Sequence, residues 1–183
     1  MQSFFDTHHL NLRPVEPEDI DTLYQWENNT TLWEVGQSSI PFSRYVLKQY
    51  VETINDDIFA AQQLRLIIEE KSSKEVLGAV DLYDFDPLHR RAGIGILIFS
   101  NKYQRRGYAT EALEAIEKYA FHFLGLHQIY ATVTDDNSAS IKLFERLDFE
   151  HTSTKKDWIR RGGKWMDQLL FQKITPFQQR KFE

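Results

Sequence analysis

The sequence predicts an α/β (α+β) domain: one mixed, mostly antiparallel sheet of about seven strands, with about four helices on both faces. Three observations lead there. Hydrophobic spacing along the 183 residues changes in the order strand, helix, helix, three strands, helix, strand, helix, two strands. A strand–helix–strand unit lies in the middle of that order, so parallel and antiparallel pairing must meet in a single sheet. With 42% hydrophobic and 14% aromatic residues, a chain of this length can bury about two-thirds of its unfolded surface around one core. One domain over residues 1–174 follows, with a polar tail, Thr175–Glu183, that is expected to fray.

Each element has its own signal. Leu10 and Leu12 alternate with polar neighbours, which suits a short, half-buried first strand. Pro17 with Glu18 and Asp19 reads as a first helical turn, followed by the apolar positions Ile20, Leu23, Tyr24 and Trp26, and Asn28-Asn29 ends that helix. After an irregular stretch holding Trp33, Glu34, Gly36 and Pro41, Ser43 can cap a second helix with Leu47, Val51 and Ile54 inward. Leu64–Glu70 and Val76–Tyr83 flank a polar turn as a hairpin, and Arg91–Phe99 is an apolar strand covered on both faces. Gly107 to Leu124 carries the clearest helical periodicity and is stopped by Gly125. Ile129–Thr134 is a strand, and Asn137 or Ser138 caps a helix with Ile141, Phe144 and Leu147 inward. Thr152–Arg160 and Lys164–Ile174 form a second hairpin around Arg161-Gly162-Gly163.

Composition removes several functions. The 22 Lys+Arg against 27 Asp+Glu leave a net charge of −5, which gives no footprint for nucleic acid. There is no cysteine, so disulfides, thiol nucleophiles and cysteine-ligated zinc are excluded. The six histidines are scattered and His8-His9 lacks partners at metal spacing, so no metal is expected. The first residues lack a basic start and an apolar stretch, and no run approaches the ~20 residues of a membrane span. A cytoplasmic protein without a membrane partner is the expectation.

The stretch Gln104-Arg105-Arg106-Gly107-Tyr108-Ala109-Thr110 stands between a buried strand and a long helix. Glycine at such a junction allows a sharp turn and close approach of backbone to a ligand. The first helical turn exposes unpaired N–H groups at the positive end of the helix dipole, which suits phosphate or diphosphate, and Arg105 and Arg106 add cationic charge. On spacing alone, an ordinary helix start with two solvated arginines fits as well.

The context of this stretch is more specific. Gln104-x-x-Gly107-x-Ala109 resembles the Q/R-x-x-G-x-G/A acetyl-CoA motif of the GNAT N-acetyltransferase superfamily, and it falls after the fourth strand and before the third helix, where those enzymes carry it. Asn137–Phe149 is similar to their N-x-x-(A/S)-x-x-x-Y-x-x-x-G-F stretch. The resemblance spans about residues 9–174. Arg13-Pro14, Asn28-Asn29, His89–Ala92 and the closing hairpin with Trp165 and Asp167 resemble the branch that holds spermidine acetyltransferases and ribosomal-protein N-terminal acetyltransferases.

The resemblance implies acetyl-CoA as acetyl donor. Backbone groups of Leu97, Ile98 and Phe99 would pair with the pantetheine arm, the amides of Arg105 to Thr110 would cradle the diphosphate, and Asn137 would lie near the pantetheine. The implied reaction is direct attack of a neutral amine on the thioester, with a base for its proton and an acid for the departing thiolate. The acceptor would be a small cationic amine, with a protein N-terminus or a non-catalytic acyl-CoA-binding sensor as alternatives. Homo-oligomer formation is left open.

This chain departs from the pattern in named places. The family's tyrosine acid on the last helix is Phe144 here, which has no proton to give, and Ser140, one turn earlier, is the substitute; a first-turn serine bonding backbone is the plainer reading. The glycine before the final Phe is Asp148. Where relatives carry a strand glutamate as base, this chain has Gly93 and Gly95, leaving Glu34, Asp81, Asp84, Asp86 and His89 as candidates. Ser38 and Ser39 replace the adjacent acids of the spermidine enzymes. Of the four tryptophans, Trp33 beside Glu34 is the one expected to face substrate, together with Asp84.

Overall fold

A computed structural model describes residues 4–30, 40–54, 57–99 and 101–175. Along the chain come β1 (Leu10–Pro14), a 3-10 turn (Pro17–Asp19), α1 (Ile20–Glu27), α2 (Arg44–Ile54), a single-turn α3 (Ile58–Ala61), β2 (Leu64–Glu70), β3 (Val76–Asp86) and β4 (Arg91–Ile98). After a second 3-10 turn (Asn101–Tyr103) follow α4 (Tyr108–Lys118) with a π turn (Tyr119–Phe123), β5 (Gln128–Thr134), α5 (Ser138–Arg146), β6 (Glu150–Arg161) and β7 (Lys164–Ile174). Every strand and helix expected from the sequence is present. The extra helix, α3, is too short for a 3.6-residue period to show; Asp57 caps it by accepting from the Phe59 N–H at 3.2 Å. The helix expected to run unbroken to Leu124 widens at Tyr119 into the π turn, where Tyr119 stacks on Phe123 at 5.2 Å.

The turns follow their residues. The Ser43 hydroxyl accepts from the Val46 N–H at 3.2 Å at the start of α2, and Gly125 ends the π turn at φ +64°. Gly162 and Gly163 both hold positive φ, as a two-residue hairpin turn requires. β3 runs on to Asp86, so Asp84, expected in a loop, is a strand residue at φ +48° next to a register shift.

The sheet order is β1-β2-β3-β4-β5-β7-β6. Successive β2 residues supply two cores, because side chains alternate across a strand. Ile67 joins Val15, Leu23, Leu47, Val51 and Ile54 beneath α1 and α2. Leu66 and Ile68 join Val80, Ile94, Leu113, Ile116, Phe144 and Phe171 beneath α4 and α5.

The central β4–β5 pairing is parallel and covers only Arg91–Gln128, Ala92–Ile129 and Gly93–Tyr130. β4 continues to Ile98 and β5 to Thr134, so the two strands diverge past Gly93 and the sheet splits into an N-terminal and a C-terminal arm. The expectation that Arg91–Phe99 is covered on both faces therefore holds only for Ala92 to Ile94; Arg91 is exposed and residues 95–99 are half-buried along the split.

A buried ion pair anchors the first arm. Arg13 Nη1 and Nη2 donate to the two Asp19 carboxylate oxygens at 2.7 and 2.8 Å, and the Glu16 N–H donates to Asp19 at 2.8 Å. Burial pushes the Asp19 carboxyl up, but the Arg13 and Glu16 hydrogen bonds and the Arg13 charge outweigh it and hold the group below its ordinary value. A carboxyl depressed on folding stabilises above the unfolded pKa, about 3.9, and that contribution is lost as pH falls through the folded value. The urea midpoint of Asp19→Asn should accordingly lie well below wild type at pH 7, with the gap narrowing below about pH 4. A gap that does not change with pH would contradict this assignment.

Candidate active site

The arms enclose a cavity of about 630 Å³ at the split. One wall is the β4 edge. The Phe99 N–H donates to the Leu77 carbonyl at 3.0 Å, and backbone groups alternate along a strand, so Leu97 also turns its N–H and C=O toward β3. Those of Ile96 and Ile98 point toward the split, where no strand faces them among the described residues. This corrects the sequence expectation: of Leu97, Ile98 and Phe99, Ile98 offers its backbone there, and Ile96 joins it. The Phe99 N–H is committed to β3, and its ring stacks on Trp26 with centroids 3.5 Å apart.

Past β4 the chain turns into α4. Gly107 stands before the first helical residue at φ +86°, Arg105 is at +61°, and a Cβ built on Gly107 meets nothing within 4 Å. The first intrahelical bond runs from the Glu111 N–H to the Gly107 carbonyl at 3.0 Å, so the N–H groups of Tyr108, Ala109 and Thr110 have no acceptor within the helix. Gln104, Arg105 and Arg106 are exposed, whereas Tyr108 turns inward and its hydroxyl donates to Glu70. Open amides, two arginines and space above a glycine fit the diphosphate of a CoA-type ligand.

On the first arm, at the vertex of the split, Tyr83 fills the space that a side chain at Gly93 would need. Its ring lies across β4, and a Cβ on Gly93 would come within 2.2 Å of it. The Tyr83 hydroxyl reaches Thr132 on β5, and the ring meets Tyr130 edge-on at 6.0 Å. The Tyr130 hydroxyl donates to Asp84 Oδ2 at 3.1 Å. Burial pushes both phenols upward, and nearby Asp84 pushes Tyr130 further, so both are neutral at physiological pH. Deeper in the first arm, Arg65 holds Asp81 at 2.6 Å and Glu27 at 3.4 Å, beside a Tyr50 hydroxyl that burial pushes up to about 12.

The second arm contributes α5 and β6. Asn137 caps α5, its Oδ1 accepting from the Ser140 N–H at 3.1 Å. Ser140 lines the cavity, and its hydroxyl makes no hydrogen bond among the described residues. Phe144 is buried between Phe149 and Phe171, at 5.1 and 6.3 Å between centroids. Arg161 donates to Asp136 at 2.8 Å and Thr134 at 3.4 Å, while its Nε is buried without a partner among the described residues.

The structure therefore brings Leu97, Phe99, Asn137, Ser140, Asp81 and Asp84 onto one wall system, with Gln104–Thr110 at the adjoining helix start. Trp33, Glu34, Ser38 and Ser39 lie outside the described residues. Asp86 and His89 are not part of the cavity: Asp86 accepts from the His89 N–H at 2.9 Å and meets its ring nitrogen at 2.8 Å and Arg91 at 3.2 Å. Trp158 and Trp165 are exposed on the hairpin. Sequence reasoning missed Arg65, Tyr83, Tyr130 and Lys155 as cavity residues, and read Trp26 as part of the apolar face of α1. The signal for Arg65 was a lone charge inside the apolar run Leu64–Ile68. Among the described residues, no group of three or more His, Cys, Asp or Glu is placed to hold a metal.

A sheet split with a polar cavity, followed in the chain by an anion-receptive helix start, suits an extended ligand that carries a diphosphate. The family model for the acetyltransferase (GNAT) domain matches residues 9–150, and the chain belongs to the GNAT acetyltransferase family. It is by that membership an acetyl-CoA-dependent N-acetyltransferase. An uncharacterised N-acetyltransferase, p20, of Bacillus licheniformis is 30% identical over 166 residues, covering 90% of this chain and 92% of that protein. Spermidine N(1)-acetyltransferase of Escherichia coli K12 is 30% identical over 142 residues, covering 78% and 73%. The crystal structure of spermidine N-acetyltransferase from Vibrio cholerae in complex with CoA and spermine superposes with a TM-score of 0.81 at 24% identity, covering 91% and 95%, a likeness of fold. Among the described residues, no helix is long and apolar enough to cross a membrane.

Proposed function

We propose that the chain passes the acetyl group of acetyl-CoA directly to a primary amine that is cationic in solution. The supporting observation is the one cavity whose lining joins the open β4 edge, Asp84 and Ser140, with the start of α4 following β4 along the chain. Acetyl-CoA, when bound, supplies an activated thioester. The amides of Arg105 to Thr110 and the two arginines bind its diphosphate, the backbone of Ile96 and Ile98 and the Asn137 side chain hold the pantetheine arm, and β4 N–H groups facing the split stabilise the oxyanion.

Asp84 attracts the ammonium and takes its proton. The amine nitrogen then forms the new N–C bond as the C–S bond breaks; Ser140 passes its proton to the departing sulfur and takes in its place the second proton lost by the nitrogen, while Asp84 returns the first proton to solvent. Positioning the neutral amine against the thioester supplies much of the acceleration. With no cysteine in the chain, no thiol can carry the acetyl group between donor and acceptor. The spermidine acetyltransferases among the relatives support a small cationic acceptor. No metal takes part in this scheme.

A panel of polyamines, other small amines and N-terminal peptides, followed by free thiol release, tests the reading. The cysteine-free chain contributes no thiol background. Ser140→Ala should lower kcat by about 10²-fold with unchanged acetyl-CoA affinity. An unaltered kcat would remove Ser140 from the scheme, and tight acetyl-CoA binding without turnover of any amine would favour a sensor module.

A further inference from the structure

The ionic groups of the cavity are distributed unevenly between the two arms. On the first arm, Asp81 is neutralised by Arg65, whereas Asp84 has only the Tyr130 hydroxyl and no cation among the described residues. Tyr130 is the last β5 residue paired with β4, so its bond fixes Asp84 at the vertex of the split. On the second arm the charge is reversed. Lys155 lines the cavity from β6, with its Nζ 4.7 Å from the centre of the Trp158 ring and no carboxylate partner among the described residues. The Arg161 charge beside it is already met by Asp136 at 2.8 Å, which leaves Lys155 as the free cation lining the cavity from this arm among the described residues. Lys155 stands opposite Gln168, which stands opposite Thr134 on β5, so these three residues share one face across the second arm. Two strand spacings put the Lys155 backbone about 10 Å from β5.

One cavity thus presents an uncompensated anion at the vertex and an uncompensated cation on the far arm. From this we propose that the acceptor carries an anionic group as well as its amine: a zwitterion with a terminal amine several bonds from a carboxylate. The amine lies at Asp84 beside the thioester, and the carboxylate lies against Lys155. This deepens the proposed amine acetylation and rests on it. A linear polyamine meets the vertex well but brings positive charge to the Lys155 side.

Matched pairs that differ by one carboxylate provide the test: lysine against 1,5-diaminopentane and ornithine against 1,4-diaminobutane, with spermidine as a third reference, each followed by thiol release. The amino acids should show at least tenfold higher kcat/KM than their diamines. Lys155→Glu, at an exposed position where folding is not at stake, should remove that advantage while leaving acetyl-CoA affinity unchanged. Diamines or spermidine turning over as well as or better than the amino acids would overturn the inference and leave amine acetylation standing. So would a preference that Lys155→Glu does not alter. No turnover of any amine, with acetyl-CoA bound, would overturn both.

Discussion

Replacing Gly107 with glutamate is expected to weaken acetyl-CoA binding at least a hundredfold, about 2.7 kcal/mol, while the protein stays folded. Two effects combine. Gly107 holds φ +86°, a conformation that costs an ordinary L-residue roughly 1–2 kcal/mol. The added side chain also enters the open space above the first turn of α4, where a carboxylate would repel a diphosphate from the unpaired amides. Gly107→Asn separates the two, because asparagine tolerates the left-handed region and carries no charge. It should bind acetyl-CoA between wild type and the glutamate variant. The strain alone lowers Tm by only several degrees in a chain of this size. Titration calorimetry reads the binding, and wild-type affinity in Gly107→Glu would remove the diphosphate from this helix start.

Gly93→Ala is the second large effect, and it acts at the vertex of the split. The new Cβ falls 2.2, 2.4 and 2.7 Å from three atoms of the Tyr83 ring. That ring cannot slide aside freely, because its hydroxyl reaches Thr132 and the ring packs at right angles to Tyr130. Overpacking of this kind costs about 1–3 kcal/mol, and relief comes only by driving the ring into the cavity or moving β4. Urea unfolding should show that loss, and amine turnover should fall more than tenfold. The double variant Gly93→Ala with Tyr83→Ala should regain part of the stability lost by Gly93→Ala alone, since the clash is pairwise. Gly95→Ala is the control: its Cβ would meet Tyr83 at 3.6 Å, an ordinary contact, and should change stability little. Equal destabilisation by both alanines would contradict a specific Gly93–Tyr83 contact.

These two glycines mark what could and could not be read from the chain. Gly107 was legible because its partners are its sequence neighbours: Gln104 to Thr110 form one turn, and a helix start exposes its amides wherever it lies. Asn137 and Ser140 were legible for the same reason, since a cap and its first turn are three residues apart. Gly93 read only as the absence of a glutamate. Its reason is Tyr83, ten positions earlier and directly opposite on β3.

Arg65 is similar. In sequence it is one charge in an apolar strand, and only folding places it between Asp81 and Glu27. Trp26 and Phe99 also meet only through the packing of α1 over the sheet. The backbone roles of Leu97 and Phe99 were misread because strand pairing, not residue identity, decides which amides face the split.

The sequence by itself determined the mixed sheet, the order of its elements, the glycine turn before α4 and the absence of any cysteine nucleophile, since periodicity, caps and composition act within a few residues. The tertiary structure alone decided where β4 and β5 part, which carboxylate stands at that vertex and which cations face it. Those facts depend on contacts between residues far apart in the chain, and local pattern carries no information about which of them will meet.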